Sequence, residues 1–231
     1  MYYSTEVYAL KIDKEFNKKK FCRLINFVSA EKRECISKFY SYEDCLRSLL
    51  GNVLVRYLLC KRLNIMNKDL LFKTNDYGKT YLSNFRDTYF NISHSLNWVV
   101  SCIDVKAVGI DIEFIKPINI QIAKRFFTSF EYNFLMSKSI TEREAYFYEL
   151  WTLKESYIKA RGMGMAMPLN SFAICINEHK INIKTKFKNY NFHQYNIDEN
   201  YKLSVCSQNE YFANKVQIID INELYYEILK L

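Results

Sequence analysis

Two carboxylates stand two residues apart in a stretch with the pattern of a strand. Asp111 and Glu113 alternate with Ile110 and Ile112 in the run from Val108 to Glu113. Side chains two residues apart lie about 7 Å from each other on one face of a strand, so both carboxylates share a face and both isoleucines point to a core. Neighbouring carboxylates repel each other unless positive charge lies between them. The simplest partner is a divalent cation that prefers oxygen ligands, Mg²⁺ rather than Zn²⁺.

A second group of ionisable side chains lies further along the chain, in a predicted helix. Trp151, Glu155 and Lys159 follow one another at intervals of four residues and therefore share one stripe of that helix. We expect Trp151 to belong to the core. Taken alone, the Glu155–Lys159 spacing favours a structural ion pair, which is common on helices. The upstream carboxylates Asp111 and Glu113 favour a site instead, because Glu155 could supply a third oxygen to the same cation.

Another predicted strand ends in hydrogen-bonding side chains, in the run Asn91-Ile92-Ser93-His94-Ser95. A cation suited to phosphate oxygens, nearby lysines and a Ser–His pair together indicate phosphoryl transfer. Structural alternatives remain open for both residues of that pair. Ser93 could cap the strand end, and His94 could be an ordinary hydrogen-bonding residue.

Three motifs follow one another in order along the chain. They are Phe90-Asn91-Ile92-Ser93-His94-Ser95, Gly109-Ile110-Asp111-Ile112-Glu113 and Trp151-x-x-Lys154-Glu155-Ser156-x-x-Lys159. In order and separation they resemble the signatures of the 4′-phosphopantetheinyl transferases, of the longer, surfactin-synthetase-activating type. The resemblance covers nearly the whole chain and implies an α+β fold. It implies two similar subdomains, related by a pseudo-twofold axis, with the active site at their interface.

The activity implied by this resemblance is that of a Mg²⁺-dependent holo-[acyl-carrier-protein] synthase. Such an enzyme transfers 4′-phosphopantetheine from coenzyme A to a serine of an apo acyl or peptidyl carrier protein and releases adenosine 3′,5′-bisphosphate. The motifs are equally compatible with carriers of fatty-acid, polyketide, nonribosomal-peptide and lysine biosynthesis.

Site roles can be carried over to individual residues of this sequence. The expected metal ligands are Asp111, Glu113 and Glu155. Glu155 and Lys159 are the expected catalytic residues, with Lys159 at the phosphates and either Glu155 or a metal-bound water as the proton acceptor. The expected coenzyme A ligands are Lys32, Arg47, Ser48, Lys79, Ser93, His94, Lys154 and Lys159. Without the resemblance, Lys32 and Arg47 could equally be ordinary solvated helix charges.

Two positions depart from the family pattern. Thr80 stands where a proline commonly follows the Tyr-Gly-Lys turn, which could loosen the placement of Lys79. Cys35 stands where a second basic residue often holds the nucleotide phosphates. Lys38 is the nearby cation that could compensate for it.

Composition excludes several classes of protein. Of the 231 residues, 49% are hydrophobic and 16% aromatic, which predicts a globular chain with a sizeable core. The net charge of +8 favours an acidic or phosphate-rich partner, although a lysine-rich coding bias would also produce it. Seven cysteines are dispersed along the chain without a C-x-x-C pair. The first residues lack the pattern of a signal peptide. The longest apolar runs are shorter than the about 18 residues that a membrane-spanning helix needs. We therefore expect a cytoplasmic protein without membrane or nucleic-acid partners.

The predicted elements occur in a repeated order of strand, helices and strands. Long helices are predicted at 43–62 and 142–160, and Thr128 and Glu131 have the spacing of a capping box. We therefore predict an N-terminal subdomain at 1–105 with nucleotide contacts and a C-terminal subdomain at 106–231 with the metal site and catalytic helix. Because one chain carries both halves, we expect a monomer.

Two other functions share parts of this pattern. A glycosidase also uses paired carboxylates, but two residues on one strand face do not flank a sugar bond from opposite sides. A non-catalytic binding module of the same fold could use the +8 charge to bind acidic or phosphate-bearing partners. Such a module has no need of the clustered Asp111, Glu113, Glu155 and Lys159.

Overall fold

The computed structural model describes residues 4–13, 16–177, 180–185, 187 and 189–231. Its helices are α1 (Lys18–Leu24), α2 (Ala30–Ser37), α3 (Tyr42–Leu63), α4 (Ala123–Phe126), α5 (Ser129–Ser137), α6 (Arg143–Arg161) and α7 (Ile221–Ile228). Its strands are β1 (Glu6–Lys11), β2 (Phe72–Thr74), β3 (Thr80–Leu82), β4 (Tyr89–Ser95), β5 (Trp98–Asp104), β6 (Val108–Phe114), β7 (Ala173–Asn177), β8 (Lys180–Lys184), β9 (Asn191–Tyr195), β10 (Tyr201–Ser207) and β11 (Gln217–Ile219).

The N-terminal half packs the long helix α3 on a four-stranded sheet of order β11-β1-β5-β4. Ser41 begins α3 by accepting a hydrogen bond from the Asp44 N–H, and Asn64 ends it in the left-handed conformation. The apolar stripe of α3, including Leu50 and Leu54, is buried in the core of this half. The hairpin β2–β3 extends from the same half towards the second one.

The C-terminal half places α6 on a three-stranded antiparallel sheet of order β6-β10-β9. Leu150, Leu153 and Tyr157 form the buried face of α6. The helix lies unusually close to β6 at Gly109. A Cβ atom at that position would lie 2.1 Å from the Ser156 carbonyl oxygen, so only glycine permits this approach. The strand that carries the carboxylate motif therefore touches the helix that carries Glu155 and Lys159.

Side chains of β4 join the two sheets at the interface between the halves. Asn91, Ser93 and Ser95 alternate along β4 and offer their side-chain oxygens to the edge of β6. They accept hydrogen bonds from the backbone N–H groups of Ile110, Ile112 and Phe114, at 2.9, 3.4 and 3.1 Å. The polar motif of one half is thereby held in register with the carboxylate motif of the other.

The predicted α+β class with two subdomains is confirmed. The boundaries at 1–105 and 106–231 stay a prediction. Two elements of the second range, β11 and α7, pack on the N-terminal half. Strand β11 pairs in parallel with β1, and α7 buries Ile221, Leu224 and Ile228 in the core of the N-terminal half. Within the ranges described above, none of the helices has both the length and the apolar character needed to span a bilayer.

Candidate active site

Asp111 lies at the centre of the interface, on β6, and is 4% exposed. Its Oδ1 accepts hydrogen bonds from Ser93 Oγ at 2.8 Å and from Lys159 Nζ at 2.6 Å. Its Oδ2 is buried and has no hydrogen-bond partner among the described residues. A buried carboxylate oxygen without a partner is costly, so this atom fits a site that is completed by a bound cation.

Two further carboxylates, Glu113 and Glu155, line the same cavity as Asp111. Glu113 accepts a hydrogen bond from Ser95 Oγ at 3.1 Å. Burial and the negative charge of Asp111 raise the pKa of Glu113 to about 7. The same two causes raise the pKa of Glu155 above its ordinary value. The cavity therefore holds more negative charge than its surroundings stabilise, and a cation would relieve it.

The chemistry of this donor set fits Mg²⁺, since all three side chains offer carboxylate oxygens and Asp111 has one oxygen free. In the part of the chain that the structure describes, no three His, Cys, Asp or Glu side chains are close enough to form a complete metal site. The Mg²⁺ site therefore remains a prediction at this point.

Lys159 contacts Asp111 rather than Glu155. Its ammonium donates to Asp111 Oδ1 and, at 3.0 Å, to Ser93 Oγ. No ion pair between Glu155 and Lys159 forms in the described ranges, where Lys159 pairs with Asp111. The structural pair that helix spacing alone would favour is thus absent, and Lys159 instead links α6 to the motifs on β4 and β6.

His94 is surrounded by positive charge. Burial, and then the charges of Lys159, Arg47 and Lys32, lower the pKa of His94 to about 4. The imidazole is therefore neutral at pH 7 and can donate a hydrogen bond. Burial also lowers the pKa of Lys32. Lys32 and Lys159 line the same cavity as this neutral ring, which favours an anion such as a phosphate there.

Acid is expected to destabilise the ligand-free protein through His94. Its native pKa of about 4 lies below the ordinary value of 6.5, so between these values the unfolded chain binds more protons than the native protein. The stabilising contribution is complete above the ordinary pKa and is lost as the pH falls towards the native one. In thermal denaturation, His94→Asn should therefore lose less stability than the wild type on acidification through this window. Parallel pH curves for the two proteins would contradict the assignment.

Two adjoining cavities meet at these residues. The first, of about 530 Å³, brings together the three predicted metal ligands and five of the predicted coenzyme A ligands. Those five are Lys32, Ser48, Ser93, His94 and Lys159. The second cavity has a volume of about 760 Å³ and shares Ile92, Glu155 and Lys159 with the first. Its walls come from the turn at 77–80, from α6 and from the segment 164–170.

Sequence reasoning missed several residues that line these cavities. Asn52 lines the smaller one a single helical turn after Ser48, and that four-residue spacing could have identified it. Trp151, expected in the core, packs edge-on against Phe126 with ring centroids 5.4 Å apart, yet it also lines the smaller cavity. Arg125 lines the larger cavity, and no pattern in the sequence connects it to the site.

The structure does not place Arg47 in either cavity. Its guanidinium pairs with Asp44 Oδ1 at 2.6 Å and donates to the Leu96 carbonyl oxygen at 3.3 Å. That Arg47 is a direct coenzyme A ligand stays a prediction, and it would require the guanidinium to change these contacts. Arg47 acts on the site through its charge, which contributes to the low pKa of His94.

Lys154, another predicted coenzyme A ligand, has a side chain that is 0% exposed. Its ammonium pairs with Glu131 Oε1 at 2.7 Å and donates to the carbonyl oxygens of Leu169 and Phe172 at 2.9 and 2.7 Å. Glu131 also caps α5 through Thr128, as the capping-box spacing predicts. These contacts favour a structural role for Lys154, and its predicted contact with coenzyme A stays a prediction.

Lys79 lines the larger cavity, but its ammonium contacts backbone carbonyl groups. Thr80 lines the same cavity. Cys35 is exposed. Lys38, the cation that could compensate for Cys35, pairs with Glu34 at 2.7 Å on the exposed surface.

Comparisons with known proteins show the family of this chain. The family described as the 4′-phosphopantetheinyl transferase superfamily matches residues 107–206, and the family described as 4′-phosphopantetheinyl transferase, N-terminal, matches residues 15–105. The chain is 37% identical over 222 residues to the 4′-phosphopantetheinyl transferase Sfp of Bacillus subtilis (strain 168), covering 95% of this chain and 99% of that protein. It is 40% identical over 228 residues to the 4′-phosphopantetheinyl transferase gsp of Aneurinibacillus migulanus, covering 96% and 95%.

A more distant similarity exists to a solved structure. The crystal structure of the Thermotoga maritima holo-[acyl-carrier-protein] synthase overlays with a TM-score of 0.38 at 16% identity, covering 44% of this chain and 61% of that chain. The family assignment depends on the closer sequence relatives. Their coverage and identity show that this chain belongs to the 4′-phosphopantetheinyl transferase superfamily, in its surfactin-synthetase-activating type, and is an enzyme of that class.

Proposed function

We propose that this enzyme transfers the 4′-phosphopantetheine arm of coenzyme A to a serine of an apo acyl or peptidyl carrier protein, with the help of Mg²⁺. The serine oxygen forms a bond to the phosphorus atom that carries the pantetheine arm. The bond from that phosphorus to the bridging oxygen breaks, and adenosine 3′,5′-bisphosphate leaves with this oxygen. The serine proton passes to a base.

The observation that carries this proposal is the surroundings of Asp111. One cavity holds three carboxylates, one of them with a buried free oxygen, and beside them a group of cations around a neutral histidine. A pyrophosphate with a bound cation needs both kinds of partner, since the metal binds carboxylates while the remaining phosphate charge is neutralised by lysines. Neither a glycosidase nor a simple anion-binding module needs both.

Asp111, Glu113 and Glu155 would hold Mg²⁺, which would supply positive charge to the pyrophosphate and the leaving group. Lys159 lines both cavities and would bind a phosphate oxygen. His94, kept neutral by its surroundings, would donate a hydrogen bond to a phosphate of the nucleotide without repelling its neighbouring cations. These residues mainly position the substrate and neutralise charge, which is what phosphoryl transfer requires.

Glu155 lies where the two cavities meet, so the incoming serine must approach near it. Two proton acceptors are compatible with this position: Glu155 itself, or a water molecule that it orients. The pH dependence of the single-turnover rate in Glu155→Asp, measured at saturating Mg²⁺ beside the wild type, distinguishes them. This variant keeps a carboxylate for the proposed cation, and a shifted pH profile is expected only when that carboxylate itself accepts the proton.

The proposed macromolecular partner follows from charge. The net charge of +8 favours an acidic protein, and long-range attraction acts mostly on the association rate. One chain supplies both halves of the interface around Asp111, so the site is complete in a monomer. All seven cysteines are free, which suits a reducing compartment, and we therefore propose a cytoplasmic monomer.

Intact-mass spectrometry of an apo carrier protein tests the proposed function. The enzyme is incubated with coenzyme A and Mg²⁺, with EDTA, and with EDTA followed by excess Mg²⁺. We expect the carrier to gain one phosphopantetheine group, to gain none in EDTA, and to gain it again when Mg²⁺ is restored. Carriers of the fatty-acid, polyketide and nonribosomal-peptide types are compared in parallel to identify the preferred class.

Two results would contradict the proposal. No mass gain on any carrier type, with a folded enzyme that binds coenzyme A, would mean that the acceptor is something other than a carrier serine. A mass gain that is unchanged in EDTA would remove the divalent cation from the mechanism. Isothermal titration with coenzyme A, run on the same preparation, separates loss of binding from loss of transfer.

A further inference from the structure

The ammonium group of Lys79 donates three hydrogen bonds to the opposite half of the molecule. The acceptors are the backbone carbonyl oxygens of Lys159 at 2.6 Å, Val108 at 3.0 Å and Ala160 at 3.3 Å. A lysine ammonium has three hydrogens, so each can be used in this arrangement. None remains for a phosphate, and burial lowers the pKa of Lys79 to about 8.

The three carbonyls belong to the two elements that carry the candidate active site. Val108 begins β6, three residues before Asp111, and Lys159 and Ala160 lie in the last turn of α6. The last carbonyls of a helix have no partner within it and carry partial negative charge, so they favour a cation. The Lys79 ammonium therefore binds β6, which carries Asp111, and also the backbone of Lys159, whose side chain contacts Asp111.

A second contact fixes the turn that carries Lys79. Asn75 Nδ2 donates to the Gly162 carbonyl oxygen at 2.9 Å, and Asn75 Oδ1 accepts from the backbone N–H groups of Tyr77 and Lys79 at 3.0 and 2.9 Å. Gly162 ends α6 with φ of +65°, and a Cβ there would lie 2.9 Å from Lys79 Cδ. The hairpin turn and the end of α6 are thus fitted to each other at several points.

We infer that Lys79 is a positioning residue, which holds the start of β6 and the end of α6 together so that Lys159 stays in contact with Asp111. The inference builds on the proposed function and gives Lys79 a role different from the phosphate contact expected from the sequence. To reach a phosphate, the ammonium would have to give up all three of these hydrogen bonds, two of them at a helix end.

The test compares Lys79→Met with Lys79→Arg and with Lys73→Met as the matched control. Lys73 is an exposed lysine on β2 of the same hairpin. Each protein is assayed with coenzyme A and with 3′-dephospho-coenzyme A, which has the same breaking bond without the 3′-phosphate. We expect Lys79→Met to lower kcat by about tenfold to a hundredfold with both substrates and to change KM by less than about threefold. We expect Lys79→Arg to lose less activity than Lys79→Met.

A contact between the Lys79 ammonium and the 3′-phosphate of coenzyme A predicts a different result. In that case KM for coenzyme A rises in Lys79→Met while the reaction with 3′-dephospho-coenzyme A is unaffected, and this outcome would overturn the inference. A double variant, Lys79→Met with Lys159→Met, adds a second criterion. If Lys79 acts through Lys159, the combined loss is smaller than the product of the two single losses.

Hydrogen exchange on residues 155–165 measures the same contact without any turnover. Exchange there should speed up in Lys79→Met and stay unchanged in Lys73→Met, and equal exchange in both would also overturn the inference. If the wild type transfers nothing, the proposed function fails while this measurement still decides the role of Lys79. Should Lys79→Met not fold, Lys79→Arg is used in both the kinetic and the hydrogen-exchange comparison. Its guanidinium keeps the charge but cannot donate to the three carbonyl groups in the same geometry.

Discussion

Asp111→Asn is expected to lower the transfer rate by about a thousandfold or more while the protein stays folded. Asparagine keeps the shape of the side chain but removes the charge that faces Lys159 and the carboxylate oxygen left free for a cation. It also replaces one oxygen by a donor, which repels the ammonium and any bound cation. The rate of a single turnover, followed by the mass of the carrier protein, measures this loss without a contribution from product release.

The Mg²⁺ dependence of this variant provides a second readout. The remaining rate of Asp111→Asn should no longer saturate at the Mg²⁺ concentrations that saturate the wild type. Glu199→Gln is the matched control, since it neutralises an exposed carboxylate in the same half. If Asp111→Asn retains a rate within about twofold of the wild type, Asp111 does not take part in the reaction.

Lys154→Met is expected to destabilise the protein by about 3–5 kcal/mol, the usual cost of breaking a buried ion pair by removing one partner. The side chains of Lys154 and Glu131 are 0% and 1% exposed, so Glu131 would be left as an uncompensated charge in the interior. The carbonyl oxygens of Leu169 and Phe172 would also lose their donor. Urea denaturation at fixed pH measures the change in the free energy of unfolding.

A double variant separates the charge from the packing. Lys154→Met with Glu131→Gln removes both charges and keeps an amide oxygen for the Ile174 N–H, which now donates to Glu131 at 2.7 Å. We expect it to recover most of the lost stability and to bind coenzyme A within about threefold of the wild type. A stable double variant with strongly weakened coenzyme A binding would instead return Lys154 to the nucleotide site.

The geometry around Asp111 could be predicted because it depends on local periodicity. Alternation along a strand fixes that Asp111 and Glu113 share a face, and helical spacing fixes that Glu155 and Lys159 share a stripe. Both patterns are visible within a few residues of sequence. What they cannot show is that Lys159 reaches across to Asp111 rather than along its own helix to Glu155.

Lys154, Lys79 and Arg47 show why the remaining contacts could not be predicted. Each is a cation at a position that the family pattern associates with the site, yet its partner comes from elsewhere in the fold. Lys154 pairs with the carboxylate that caps α5, and Lys79 donates to carbonyl groups at a helix end. Arg47 pairs with a carboxylate one turn before it in the same helix. Residue type and spacing do not distinguish a cation that faces a cavity from one that faces a carbonyl group.

Strand β11, near the end of the sequence, was missed for a related reason. Strand β11 has only three residues, and its pairing with β1 joins residues more than two hundred positions apart. Such a short segment has no periodicity of its own to reveal it. This segment is a strand because it pairs with the edge of β1.

That edge has a consequence for how the protein is made. A chain that emerges from the ribosome presents β1 about two hundred residues before β11, so one side of β1 stays unpaired until the residues between them have been made. The apolar surface that receives Ile221 and Leu224 of α7 is also uncovered for that time. The N-terminal half therefore completes its sheet and core only after the intervening second half has been translated, and an unpaired strand edge and apolar surface stay exposed until then.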